Sequence, residues 1–304
     1  MTAPTYTRVN TPTASSSLRW VSVSATHLLR LDGSSPSILV DLRGKKPITR
    51  VVPLEGFSHP RSCFSRDGKH FFVLDAATAG VVRVFDVETL AMKSFELKRG
   101  WHLGTHPVFP ELLVVTSDEG TDLVTAAGKV VRSIPGASSI SPDGAWCIVK
   151  AGDDDRVCAL TDKGPASKGH VFSASNFAWS ETDAKLLTWA WGDSFANDEW
   201  KGKPGLSWLD AKTGKKTFFK SVTFSKDSSS GIDDLIITAG WAVSVVEGGI
   251  ADHPIATVDF VKLSSGARKV VEVKAGKSHT FAGAHDGRVA VAVNWQPLPP
   301  SWLR

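Results

Sequence analysis

Histidine, carboxylate and tryptophan are the residues from which this chain could build a site, and their spacing decides which chemistry is open. One grouping is the run Trp191-Gly-Asp-Ser-Phe-Ala-Asn-Asp-Glu-Trp200, in which Trp191, Phe195 and Trp200 are interleaved with Asp193, Asp198 and Glu199. Flat aromatic rings flanked by carboxylates suit a protein-binding hot spot, or a surface on which a sugar stacks. The competing expectation is that these rings fold back as core. A second grouping is His59, His102 and His279, far apart in sequence. Imidazoles are common metal ligands, so three of them converging beside Asp75 or Asp118 could hold an ion. The blander expectation is three polar histidines bonded to backbone or water.

Other combinations fail on spacing. His102 and His106 lie in a strand-like context, where four residues span roughly 13 Å, too far for one small ion. Asp153-Asp-Asp-Arg156 lacks the alternating oxygen ligands and the glycine of a calcium loop, and reads as a solvated hairpin tip. No Gly-x-Ser-x-Gly elbow, P-loop or Gly-x-Gly-x-x-Gly run occurs. No catalytic residue and no cofactor are assigned on these grounds.

The elements that must position these residues are strands. Helical periodicity is nearly absent, and short β-type runs recur at intervals of about ten residues, as in His70-Phe-Phe-Val-Leu, Trp146-Cys-Ile-Val and Arg288-Val-Ala-Val-Ala-Val. Gly, Pro, Asp and Ser clusters separate them. Trp179, Trp189 and Trp208 fall within such runs and are expected in the core. The chain of 304 residues is 42% hydrophobic, enough for a large core, and its net charge of +4 is too small to suggest a nucleic-acid or membrane surface. Basic residues such as Lys45, Lys46, Lys215 and Lys216 scatter among turns, where they serve solubility.

The N-terminal residues lack the basic stretch and apolar run of a secretory signal, and no segment approaches the roughly 18 apolar residues of a membrane helix. Three cysteines are an odd and sparse set, which points to reduced thiols and a cytoplasmic protein. If Gly152 and Asp153 form a two-residue hairpin tip, Cys147 and Cys158 face each other across two strands. Two small buried hydrophobes is the simple reading of that pair, and a regulatory disulfide is the alternative.

The runs also repeat at a longer period. One signature is Cys63-Phe-Ser-Arg-Asp-Gly-Lys-His-Phe-Phe-Val-Leu-Asp75, repeated as Ser139-Ile-Ser-Pro-Asp-Gly-Ala-Trp-Cys-Ile-Val, with weaker copies starting at Phe177 and Phe281. A second follows each first one and ends in a turn, at Gly44, Leu90, Gly128, Gly164, Gly214 and Gly266. These ends are about 36 to 52 residues apart, the size of a four-stranded unit that cannot bury both faces alone. Radial stacking of such units makes a β-propeller.

The Phe-Ser-x-Asp-Gly-Lys and Ile-Ser-Pro-Asp-Gly runs resemble the WD40-like repeats of bacterial TolB- and YVTN-type propellers. Phe85-Asp86 and Leu209-Asp210 stand where WD40 repeats carry Trp-Asp. The expected fold is all-β, a single β-propeller domain over residues 1–304. Its count is seven four-stranded blades, at about 18–55, 56–99, 100–135, 136–173, 174–228, 229–275 and 276–304 plus 1–12, or six if two weak units merge. The N-terminal Tyr6-Thr-Arg-Val-Asn would supply an outer strand to the C-terminal unit and close the ring.

The resemblance implies that the loops between blades, and those joining second to third strands, share one face. Two of them are long, at residues 191–205 and 220–234. The function expected is a non-catalytic protein-binding scaffold using that face through Trp191, Asp193, Phe195, Asp198, Glu199 and Trp200, with a protein partner. The rivals are a hydrolase or lactonase-like propeller enzyme with a channel metal on His59, His102 and His279, and a carbohydrate-binding propeller.

Overall fold

The computed structural model describes residues 6–8, 19–32, 36–54, 60–75, 80–98, 100, 102–152, 154–174, 176–190, 205–219, 232–246, 255–274, 280–285, 288–293 and 301–303. These residues form an all-β propeller, and every described sheet has four antiparallel strands. β1 (Tyr6–Arg8) is set apart from its neighbours in sequence. The first sheet is β2 (Arg19–Val23), β3 (His27–Asp32), β4 (Ile38–Asp41) and β5 (Ile48–Val51). The second is β6 (Pro60–Phe64), β7 (His70–Asp75), β8 (Val81–Asp86) and β9 (Met92–Glu96). The third is β10 (His102–Thr105), β11 (Leu112–Ser117), β12 (Gly120–Thr125) and β13 (Val130–Pro135).

The fourth sheet runs through β14 (Ala137–Ile140), β15 (Trp146–Ala151), β16 (Asp154–Thr161) and β17 (Gly164–Phe172). The fifth runs through β18 (Asn176–Trp179), β19 (Lys185–Ala190), β20 (Gly205–Asp210) and β21 (Lys216–Phe218). The sixth holds β22 (Ile232–Thr238), β23 (Trp241–Val246), β24 (Ile255–Lys262) and β25 (Arg268–Lys274). The last sheet joins the two ends of the chain. It holds β26 (Thr280–His285), β27 (Arg288–Val293) and β28 (Ser301–Leu303), and β1 pairs with β28 through Tyr6↔Leu303 and Arg8↔Ser301. β26 lies against both β22 and β2, so the ring closes.

The core is a series of wedges between sheets. Leu29, Leu31 and Leu39 of the first sheet pack against Phe64, Phe71, Val73 and Phe85 of the second, where Phe71 and Phe85 stack at 4.8 Å. The far side of the second sheet presents Phe72, Leu74, Val82 and Val84 to Leu113, Val115 and Val124 of the third. Such use of both sheet faces is why the strands read as near-continuous apolar runs and not as strict alternation. Trp189 is fully buried between the fifth and sixth sheets, with Trp208 packed against the same cluster.

The repeated sequence signatures are turn chemistry. In Ser65-Arg-Asp-Gly-Lys-His70 the Ser65 hydroxyl donates to Asp67 at 2.7 Å and accepts from the His70 amide at 2.9 Å. Ser141 does the same with Asp143 and Trp146, at 2.5 and 2.9 Å. Serine thus clamps both ends of the first connection of its sheet while glycine takes the left-handed position, as Gly68 (φ 69°) and Gly144 (φ 71°) do. The second signature works through aspartate. Asp86 accepts from the Thr89 amide and hydroxyl at 2.7 and 2.8 Å, and Asp210 accepts the equivalent pair from Thr213, both at 2.8 Å. These bonds hold both carboxyls below the usual carboxylate range.

Cys147 and Cys158 stand directly opposite each other in β15 and β16, around a connection of Gly152 and Asp153. Gly80, at φ 90°, is where the backbones of β8 and β9 close up, since a Cβ there would fall 1.9 Å from the Leu97 carbonyl oxygen. Gly80→Ala is therefore expected to destabilise the fold by about 3 kcal/mol, read as a lower urea midpoint with an unchanged slope. A cost below about 0.5 kcal/mol would mean that this backbone crossing is not fixed.

Candidate functional site

Antiparallel pairing divides the connections between two ends of the propeller. Those after the first and third strands of each sheet leave at one end, and those after the second and fourth leave at the other. The first end has short connections, from two residues at 239–240 to six at 106–111 and 42–47. The second end receives the long ones, residues 191–204 between β19 and β20 and residues 219–231 between β21 and β22. Ala190 and Gly205 are themselves paired, so residues 191–204 leave from and return to neighbouring strand ends.

Trp191, Asp193, Phe195, Asp198, Glu199 and Trp200 lie outside the described residues, as do His59 and His279. The aromatic–acidic set lies wholly, and the three-histidine set in two of its three members, beyond what the structure describes. His102 is described. It opens β10, the innermost strand of its sheet, and pairs with Thr116. Loss of hydration, and then the charge of Arg61, lowers its pKa, and solvent screens that effect because the residue as a whole is exposed. Among the described residues no group of three or more His, Cys, Asp or Glu side chains could hold a metal ion.

The polar side chains of the short-loop end bind sheet to sheet. Arg43 donates to both Asp41 oxygens, with its Nη2 at 2.6 Å from Oδ2, and reaches Glu88 of the second sheet at 2.8 Å. Arg50 donates to the Glu88 carbonyl at 2.6 Å and also to that of Val87. The Arg43 hydrogen bonds hold the Asp41 carboxyl down to about 2. Similar bonds recur around the ring. Arg132 donates to the Thr161 carbonyl at 2.5 Å, the His170 ring meets the Lys212 carbonyl at 3.3 Å, and Glu181 accepts from the Ala239 and Gly240 amides at 3.1 and 3.4 Å.

Register explains the recurrence. In the first sheet Arg50 lies opposite Leu39, two positions before the third-strand residue that pairs with the start of the second strand. The same position holds Lys93 opposite Val84, Arg132 opposite Leu123, His170 opposite Val157 and Lys269 opposite Phe260, while the fifth sheet has Thr217 opposite Trp208. A long basic side chain there can reach the third-strand turn of the following sheet. Sequence reading missed this because the partners are 29 to 42 residues apart (Arg132 to Thr161, Arg50 to Val87, His170 to Lys212). The available signal was a basic residue recurring at one place in most repeats.

Two histidines of this end are buried. His106 is 5% exposed; its Nε2 donates to the Ser141 carbonyl at 2.8 Å and its Nδ1 accepts from the Val108 amide. His27, 1% exposed, bonds the Thr26 hydroxyl through Nδ1 and sets Nε2 3.9 Å from Asp41. Burial lowers the pKa of both, against the pull of Asp41 on His27 and of the Ser141 carbonyl on His106.

No family profile matches the chain, and no curated protein is similar to it. Solved structures are. The chain is similar to the β-propeller domain of Cps50 (Swd1) from Myceliophteria thermophila, with a TM-score of 0.62 and 11% identity over 97% of this chain and 98% of that one. It is also similar to hydrazine synthase of Kuenenia stuttgartiensis, with a TM-score of 0.61 and 15% identity over 90% and 91% of the two chains. At these identities the likeness is one of fold, that of a β-propeller.

The buried histidines fix a sign for pH dependence. Their folded pKa lies below the ordinary 6.5, so the unfolded chain binds the proton first and stability falls as pH drops below about 6.5. The urea midpoint is expected to decline between pH 7.5 and 5, and His106→Asn to flatten that decline. An unchanged slope in the variant would remove His106 from the account.

Proposed function

We propose that the protein is a non-catalytic binding scaffold that presents its long-loop end to a protein partner. The carrying observation is the asymmetry of the two ends. Connections of at most six residues close one end, and those of 14 and 13 residues, at 191–204 and 219–231, leave from the other. Long connections on a rigid framework are where binding residues concentrate, while short ones are occupied in holding strands together. The sequence of the first long connection supplies the chemistry, with Trp191, Phe195 and Trp200 as apolar anchors and Asp193, Asp198 and Glu199 as flanking charge. Such a partner would offer an apolar pocket with basic residues at its rim.

The same reading keeps the protein in the cytoplasm, where the resting state of a sparse, odd set of cysteines is the reduced one. No helix among the described residues is long and apolar enough to cross a membrane. The test pairs binding with stability. Affinity purification from the native host identifies the partner, and Phe195→Ala with Trp200→Ala is expected to weaken that partner's binding at least tenfold while the melting temperature stays within about 2 °C. A large fall in melting temperature would make those rings core and overturn the assignment of the surface.

A further inference from the structure

Cys147 and Cys158 are two free thiols, 0% and 1% exposed, in the wedge formed by Leu123, Ile134, Ala137 and Ile140. Their spacing follows from the hairpin. Ala151 and Asp154 are paired across the two-residue connection, and in such a hairpin the flanking pair is the mutually hydrogen-bonded kind, which alternates along the ladder. Counting back makes Cys147 and Cys158 hydrogen-bonded partners as well, in agreement with the Leu160 amide bond to the Ala145 carbonyl two residues beyond. Partners of that kind have Cα atoms about 5.5 Å apart, inside the window of about 4.4 to 6.8 Å that a disulfide tolerates.

The Cys158 sulfur lies against a position without a side chain. Gly169 of β17 is opposite Cys158, and a Cβ there would fall 2.2 Å from the Val157 carbonyl oxygen and 2.7 Å from the Cys158 Sγ, so backbone first and thiol second exclude one. A side chain at that position would crowd the thiol. The three positions 147, 158 and 169 thus form a row across the sheet in which only the middle and one flank carry sulfur.

We propose that Cys147 and Cys158 close reversibly to a cross-strand disulfide, with a small disulfide such as oxidised glutathione as oxidant. One cysteine thiolate attacks a sulfur of the oxidant, forming a mixed disulfide and releasing one small thiol. The second thiolate then attacks the protein-side sulfur and releases the other. Two protein thiols lose two protons and two electrons, and one small disulfide takes them up to become two thiols.

The bond is a labile one. Cβ atoms of directly opposed residues lie about 5 Å apart, and a disulfide draws them to about 3.8 Å, so closure strains the ladder and raises the reduction potential. It is also gated. Burial pushes the Cys147 thiol up to about 12 and raises that of Cys158, so inside the closed wedge almost no thiolate is present. The exchange begins when the wedge between the third and fourth sheets opens, which makes the pair responsive to partial opening of the ring and to redox poise together.

The experiment uses the full chain carrying Cys63→Ser, titrated with mixtures of oxidised and reduced glutathione, then alkylated and digested. The expected result is one cross-linked peptide pair containing residues 147 and 158. It should be complete at oxidising ratios, reversed by dithiothreitol, and formed several-fold faster in urea below the unfolding transition. Two alkylatable thiols under native conditions, alongside ready cross-linking of the fully unfolded chain, would overturn the proposal. So would a product that stops at the mixed disulfide.

Discussion

Burial of the apolar wedges between neighbouring sheets is the constraint on which everything else in this protein rests. A single four-stranded sheet of this chain exposes apolar side chains on both faces. Leu28 and Leu29, or Phe71 and Phe72, point to opposite wedges from adjacent positions. No sheet is stable unless it has a neighbour on each side, and the last sheet must therefore meet the first. That requirement makes the β1 to β28 pairing more than a terminal detail. It covers the outer edge of the closing sheet and joins the two ends of the chain in one ladder, so that loosening anywhere strains the ring as a whole.

Polar chemistry at the short-loop end serves the same purpose. Serine and aspartate in the repeated turns satisfy amides that strand pairing leaves open. Basic side chains of the outermost strands then carry hydrogen bonds to the next sheet, where Arg50 and Arg132 take backbone carbonyls as acceptors. An arginine that reads backbone needs no particular side chain opposite it, which lets the repeats diverge while the contact persists. His27 and His106 belong to this end too, and their burial as neutral rings ties its stability to pH. With that end occupied in this way, the opposite end is the one free to vary in length, and there the chain places its two long connections.

The dithiol in the wedge between the third and fourth sheets adds a chemical coordinate to the same mechanical constraint. Thiols that titrate only when a wedge opens report the state of that wedge, and a strained bond between them is readily reversed.

Some of this was legible before any fold was known. Strand periodicity, the Asp-Gly turns, the repeat length and the terminal strand at Tyr6 each follow from rules that act over a few residues, or from recurrence. The opposition of Cys147 and Cys158 was legible too, because a two-residue hairpin fixes register by counting. The inter-sheet contacts were not. Arg50 and Val87, His170 and Lys212, and Glu181 and Gly240 meet because wedges close in three dimensions, and nothing in a local pattern encodes a partner about 40 or more residues away. The role of Asp86 and Asp210 also changed, from echoes of a Trp-Asp signature to caps on Thr89 and Thr213. Sequence alone determined which residues must pair along a strand and where each strand must turn. Only tertiary closure decided which faces meet, which histidines lose their water, and which end of the molecule the long connections leave from.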